Sequence, residues 1–124
     1  MNKNRPKHLA LHLIKLPLSG VVSILHRISG LLLFLCLPLL LLMLQYSLRS
    51  IETYTQLVQM LQKPFLKLIL LGLGWAFLHH LFAGIRYLAI DLDLGVALPQ
   101  ARVSSRLVLI VSLTLTVLLG IWLW

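Results

Sequence analysis

The sequence predicts an all-α integral membrane protein with three membrane-crossing helices, and three observations predict it. Of the 124 residues, 60% are hydrophobic and 11% are charged, with a mean hydropathy of +0.97. That composition lies outside the usual soluble range. The apolar residues gather into three runs, 21–46, 65–90 and 107–124. Each is near the ~20 residues that cross the hydrocarbon core as a helix. Most of the basic residues flank these runs. A lipid-facing span must satisfy its own backbone, so the runs are helices and not strands. The whole chain, 1–124, reads as one membrane domain.

The first element, 1–20, is basic. It carries Lys3, Arg5, Lys7 and Lys15 with His8 and His12, interleaved with Leu9, Leu11, Leu13, Ile14 and Leu16. Pro6 and Pro17 bracket it and argue against one continuous helix. It fits a segment lying on the membrane surface, one docking on a soluble partner, or a solvated tail that sets orientation. The first span follows from about Val21, and Pro38 inside it should bend it. Residues 47–64 read as a polar loop with Arg49, Glu52 and Lys63. The second span runs through Gly72, Gly74, His79, His80, Gly84 and Arg86. The next loop holds Asp91, Asp93, Gly95, Pro99 and Arg102. The third span is nearly featureless apart from Ser112, Thr114 and Thr116. It ends on Trp122 and Trp124, which suit an interfacial belt.

The net charge of +8 is split between the ends of the spans. It therefore reports topology and a charged partner or lipid surface rather than nucleic acid. Lys3, Arg5, Lys7, Lys15, Arg102 and Arg106 lie on one side and Arg49, Lys63 and Lys67 on the other. That bias places the N-terminus in the cytoplasm. Cys36 is the only cysteine, so no intrachain disulfide forms, and without Cys-x-x-Cys-His covalent haem attachment is excluded. The first run is too long for a signal-peptide core and carries Arg27. The N-terminus lacks the Ser-rich, amphipathic look of a transit peptide. A bacterial inner membrane is the simpler compartment, although a mature organellar protein would look similar.

The stretch Ser23-Ile24-Leu25-His26-Arg27-Ile28-Ser29-Gly30 puts a hydroxyl, an imidazole and a guanidinium at the head of the first apolar run. Such groups are costly in a bilayer and call for a function. The first and second spans run in opposite directions, so this octet shares a side with Arg86, Tyr87 and Asp91. Ser23, His26 and Arg27 lie within roughly 10 Å of the start of the first span, and His80 lies roughly 15 Å deeper than Ile90. Ser23 and Arg27, at i and i+4, share a face and can reach one small ligand. His80, Gly84, Tyr87 and Asp91 recur at four, three and four and form one stripe. A glycine one turn after a histidine leaves a notch where a flat macrocycle could approach. Imidazole is the usual ligand of a b-type haem iron, and nearby cations suit its propionates.

Each of these residues also has an ordinary reading. A membrane histidine can hydrogen-bond to a neighbouring helix without any metal. His79 points about 100° from His80 and has no glycine notch, which suits packing or a supporting contact to a ligand residue. Arg27 and Arg86 can snorkel to the interface. Gly72 and Gly74 read as helix packing, and Asp91 as a loop cap.

Taken together, the residues resemble a known family. Ser-Ile-Leu-His-Arg-Ile-Ser-Gly at 23–30 is similar to the S-I-x-H-R-x-[ST]-G signature of the succinate dehydrogenase cytochrome b subunit. His80-Leu-Phe-Ala-Gly84-Ile85-Arg86-Tyr87 resembles the family's second signature, H-x-x-x-G-x-R-H, with Asp91 following. Arg5-Pro6 and His8-Leu9 resemble the usual lead-in. The resemblance implies a complex of four different chains. A flavoprotein, not in direct contact with this chain, oxidises succinate, and an iron–sulfur subunit passes the electrons on. Two membrane anchors, this chain being one, complete a ubiquinone site beside haem b. By position, His80 is then an axial haem ligand, Ser23 and Arg27 line the quinone site, and His26 and Arg27 lie near the propionates. Gly84 and Tyr87 would also border the haem, and the second anchor would supply the other axial histidine. The final His of the second signature is Tyr87 here, which can donate one hydrogen bond but carries no cation. The chain would be no enzyme on its own. A purely structural anchor without haem, and a fumarate reductase anchor using menaquinone, are the alternatives.

Overall fold

The computed structural model describes residues 16–124, so the basic segment expected at 1–20 lies largely outside the described residues. Among the described residues four helices follow in order: α1 Leu18–Ser47, α2 Ile51–Leu61, α3 Pro64–Asp91 and α4 Leu98–Leu123. Three of them, α1, α3 and α4, are long and apolar enough to cross a membrane. The chain is all-helical with three candidate spans, as its composition predicts. The central helix is α3, which packs against both α1 and α4.

Two boundaries differ from the sequence expectation. The stretch read as a polar loop, 47–64, holds α2. Its start is a reciprocal cap: the Thr53 amide donates to Ser50 Oγ at 3.2 Å, and the Ser50 amide donates to Thr53 Oγ1 at 3.0 Å. Caps of this kind are worth ~1 kcal/mol. The apolar residues Ile51, Tyr54, Leu57, Val58 and Leu61 then repeat at helical spacing. At 11 residues α2 is only ~16 Å long and does not span. The third long helix begins at Leu98 and not at 107. Pro99 stands in its first turn, where the missing N–H is no loss. Arg102 and Arg106 are one turn apart on its exposed side, while Ser105 between them is buried. The polarity at 102–106 thus belongs to a helix end. The helix of α1 runs uninterrupted through Pro38. Between α3 and α4, Asp93 and Gly95 take positive φ values of 59° and 75° and turn the chain. Asp and Gly tolerate this region.

The interior is small and polar. The buried apolar residues are Val22, Ala76, Ala83 and Val108, against Ser29, His79, Arg86, Ser105, Ser112 and Thr116. Large apolar residues face outward, among them Phe34 at 70% and Trp122 at 82% exposure. This inversion is what lipid as solvent permits. Burying Leu against Leu gains little there, and close helix approach and polar contacts decide the packing. The α4 hydroxyls satisfy themselves locally: Ser105 Oγ donates to the Ala101 carbonyl at 2.7 Å, and Thr116 Oγ1 to the Ser112 carbonyl at 2.7 Å.

Glycine lets α3 and α4 approach at the end away from Asp91. A Cβ on Gly74 would lie 2.8 Å from Leu119 Cδ2, and one on Gly120 would lie 3.3 Å from Leu71 Cδ1. Gly72, expected to pack in the same way, faces open space. At that end Lys67 Nζ donates to the Leu123 carbonyl at 2.9 Å and lies over the Trp124 ring.

Candidate functional site

The polar residues of α1 and α3 meet at the end of the bundle that holds the start of α1 and the end of α3. On α1, Val22, His26, Ser29 and Gly30 turn toward α3. On α3 two adjacent stripes diverge. His80, Gly84 and Tyr87 face the His26 side, while Ala76, His79, Ala83 and Arg86 form the buried side.

The centre of the site is a pair of imidazoles. The His26 and His80 rings stack with centroids 4.2 Å apart and planes 9° from parallel. His80 Nδ1 lies 3.1 Å from the His26 carbonyl oxygen and 3.3 Å from Ser29 Oγ. Ser29 Oγ donates to that same carbonyl at 2.9 Å. A carbonyl only accepts, so Nδ1 is the protonated nitrogen of His80 and donates to it. Nε2 is the remaining ring nitrogen of His80. It enters none of the hydrogen bonds of the described residues and is not among the sealed nitrogens.

The neighbouring histidine has the opposite fate. His79 is wholly buried, its ring 5.4 Å from that of Trp75; the Val22 main chain lies beside it, and neither ring nitrogen makes a hydrogen bond of good geometry among the described residues. A group arriving from outside the chain cannot reach it.

The glycines are exchanged relative to the sequence expectation. Gly84 was expected to form the notch beside His80, but it faces His26: a Cβ there would lie 3.7 Å from His26 Nε2, in ordinary contact. The glycine against His80 is Gly30, where a Cβ would come 2.7 Å from Cε1 and 3.2 Å from Nδ1. The sequence carries the signal for this. Gly30 is four residues after His26 and one turn along the same face.

Ser23 is half-buried and Arg27 exposed, roughly 100° or more around α1 from Ser29. Neither side chain enters a hydrogen bond among the described residues, so both donors are open on the outer side of α1. Tyr87 packs its ring 5.2 Å from that of His26, and its Oη is sealed inside without a partner. In this geometry its hydroxyl is not offered to a group beyond the chain. Arg86 is also turned inward rather than to the interface or a haem edge. Its Nε donates to Ser104 Oγ at 2.9 Å and its Nη2 to the Ala101 carbonyl at 3.4 Å, tying α3 to α4. Asp91 is exposed at the end of α3.

At the other end of the bundle a cavity of about 570 Å³ lies between α1 and α2. Leu42, Met43, Leu57 and Met60 line it with Arg49, and Tyr46 Oη donates to Gln56 Oε1 across it at 2.6 Å. None of the residues singled out for chemistry from the sequence lies there.

A family model for the succinate dehydrogenase/fumarate reductase transmembrane subunit matches residues 1–119. The chain belongs to this family. Among its relatives, the succinate dehydrogenase cytochrome b556 subunit of Coxiella burnetii is 42% identical over 125 residues, covering 100% of both chains. The subunit of the same name from Paracoccus denitrificans is 32% identical, over 93% of this chain and 88% of its own. That of Rickettsia felis is 30% identical, over 94% and 91%. The three spans are thus those of a transmembrane family, and the chain is a multi-pass membrane protein.

Proposed function

We propose that this chain is the haem b-binding membrane anchor of a succinate dehydrogenase. In that role it completes the site where electrons from succinate reach ubiquinone. The relatives are named cytochrome b556 subunits. The observation that carries the reading is the state of His80. Its Nδ1 lies against a main-chain carbonyl, and its Nε2 meets no partner among the described residues, which suits an iron ligand. His79 has no such access. No group of three or more His, Cys, Asp or Glu gathers among the described residues. If haem binds here, His80 would be the residue among those described that holds its iron. His26 and Arg27 stand where propionates would need donors, with Gly84 leaving room beside His26. Haem b, when bound, supplies a one-electron carrier beside the quinone pocket.

This chain's own work on the quinone is electrostatic. A quinone carbonyl oxygen gains negative charge on reduction and needs donors already oriented in a low-dielectric pocket. Ser23 offers a hydroxyl, and Arg27 a charge that does not titrate. Neither is hydrogen-bonded among the described residues, which suits a pocket completed by other subunits. The two protons come from water on the cytoplasmic side or from another subunit. The partners are a second membrane anchor with the other axial histidine, an iron–sulfur subunit docked on the cytoplasmic face, and beyond it the flavoprotein. The compartment is a bacterial inner membrane with the N-terminus in the cytoplasm.

Two variants of the complex test this. His80→Ala should abolish or shift the b-type α-band of the reduced-minus-oxidised spectrum, and an unchanged band removes His80 as ligand. Arg27→Ala should lower succinate:quinone activity by about 10²–10³-fold, the cost of losing one such donor. Succinate oxidation by an artificial dye should persist in that variant. Equal loss of both activities would mean failed assembly instead.

A further inference from the structure

The His26–His80 contact contains more than a ligand and its neighbour. We infer that Ser29 and Gly30 are positioning residues that hold the His80 imidazole in a slot on α1, and that they set how strongly it donates to iron. The inference rests on the reading of His80 as an iron ligand.

The slot has four parts, all from one turn of α1. The His26 ring lies against one face of the His80 ring, 4.2 Å away and nearly parallel. The His26 carbonyl accepts from Nδ1 at 3.1 Å. The Ser29 hydroxyl donates to that carbonyl at 2.9 Å, and its oxygen stands 3.3 Å from Nδ1 as a second acceptor. Gly30 is the gap that admits the ring edge, with room for no Cβ at 2.7 Å from Cε1. The His26 stack covers one face of the ring and Gly30 meets its Cε1 edge, so a Cβ there must displace the imidazole. Ser29 is 3% exposed, so its hydroxyl acts inside the bundle and does not face a ligand itself.

Two consequences follow. Hydrogen bonding at Nδ1 makes an imidazole more electron-rich at Nε2 and fixes its orientation, which favours the ferric form of a bound iron. Removing one acceptor should therefore raise the reduction potential without removing the ligand. Filling the gap should displace the ring and cost haem outright. The octet thus has two sides. One side grips the ligand of another helix, and the other presents Ser23 and Arg27 outward.

The test uses the complete complex purified from membranes, with Ser29→Ala, Ser29→Thr, Gly30→Ala and His80→Ala compared with the parent. Haem content is read from the α-band, the midpoint potential by redox titration, and ligand orientation from the low-spin ferric EPR g values. Ser29→Ala should keep its α-band, shift its midpoint upward and move its g values. Its haem affinity should fall about tenfold, the scale found for lost partners of metal ligands. Ser29→Thr keeps the hydroxyl, and the signature that this octet resembles accepts Ser or Thr here, so it should restore both potential and g values. Gly30→Ala should lose most of the α-band while succinate–dye activity shows the complex still assembled. Parent-like potential and g values in Ser29→Ala would overturn the inference, as would a Ser29→Thr variant that behaves like Ser29→Ala. Retention of full haem by Gly30→Ala would overturn the role of the gap. If His80→Ala itself keeps the α-band, the ligand reading fails first. If it loses the band while Ser29→Ala stays parent-like, only the positioning inference fails.

Discussion

Two stripes of α3, one residue apart in sequence, were put to opposite uses. Ala76, His79, Ala83 and Arg86 are buried and join the helices of this chain. His80, Gly84 and Tyr87 turn to the His26 side, and His80 stays half-buried, its Nε2 without a partner among the described residues. Both stripes hold an imidazole, and only accessibility and hydrogen bonding separate the two. In lipid, burial alone is therefore a poor mark of function. The sealed histidine is the packed one, and the histidine whose near nitrogen is held and whose far nitrogen is free can serve a cofactor.

The sharpest break of this comparison is an exchange of roles between the histidines. His79→Leu has similar bulk and removes two buried ring nitrogens that make no hydrogen bond of good geometry among the described residues; an unmet buried polar group costs ~1–3 kcal/mol. It should keep the b-type α-band and match or exceed the parent in thermal stability. His80→Leu should lose the band. The reverse pair of spectra would make His79 the ligand and invert the assignment.

A smaller effect separates holding from serving within the buried stripe. Arg86→Met leaves Ser104 Oγ and the Ala101 carbonyl without their charged donor, which should cost ~1.5–3 kcal/mol. Detergent or thermal unfolding of the complex should show that loss. The potential of the haem should stay unchanged, since Arg86 points to α4. A shifted potential with parent stability would make Arg86 part of the cofactor's surroundings.

The smallest effect distinguishes two glycines at the other end of α3. Gly72→Ala meets nothing within 4 Å and gains helix propensity, so melting should rise slightly, by up to ~1 kcal/mol. Gly74→Ala meets Leu119 Cδ2 at 2.8 Å, the tip of a flexible side chain. It should be neutral to mildly destabilising. If Gly72→Ala is the worse of the two, Gly72 packs on another subunit.

Much of the fold was legible. Three apolar runs foretold three long helices, and the octet and the His80 motif marked the end where polar groups meet. Other features have plain local signals. Ser50 and Thr53 spell a helix cap in the stretch read as a loop, and Pro99 marks a first turn eight residues before the third apolar run becomes continuous. The partner of each glycine was not legible. Gly84 stands one turn after His80 on the same helix, yet the residue that makes room for the His80 ring is Gly30 on α1. Likewise Arg86 looks like an interfacial cation until Ser104 and Ala101 are seen beside it.

The sequence by itself determined the spans, the polar end of the bundle and the residue types available there. Each of these is a local property, a sum over one window or a spacing along one helix. Only the tertiary structure decided which side of each helix turns inward, that His79 is sealed and His80 open, and that Ser29 and Gly30 grip the imidazole of another helix. The physical reason is the solvent. Where lipid surrounds the chain, exposing Leu costs little, so apolar periodicity no longer points to an interior. The choice then falls on where a small residue leaves room and a polar one finds its partner, and those are properties of pairs.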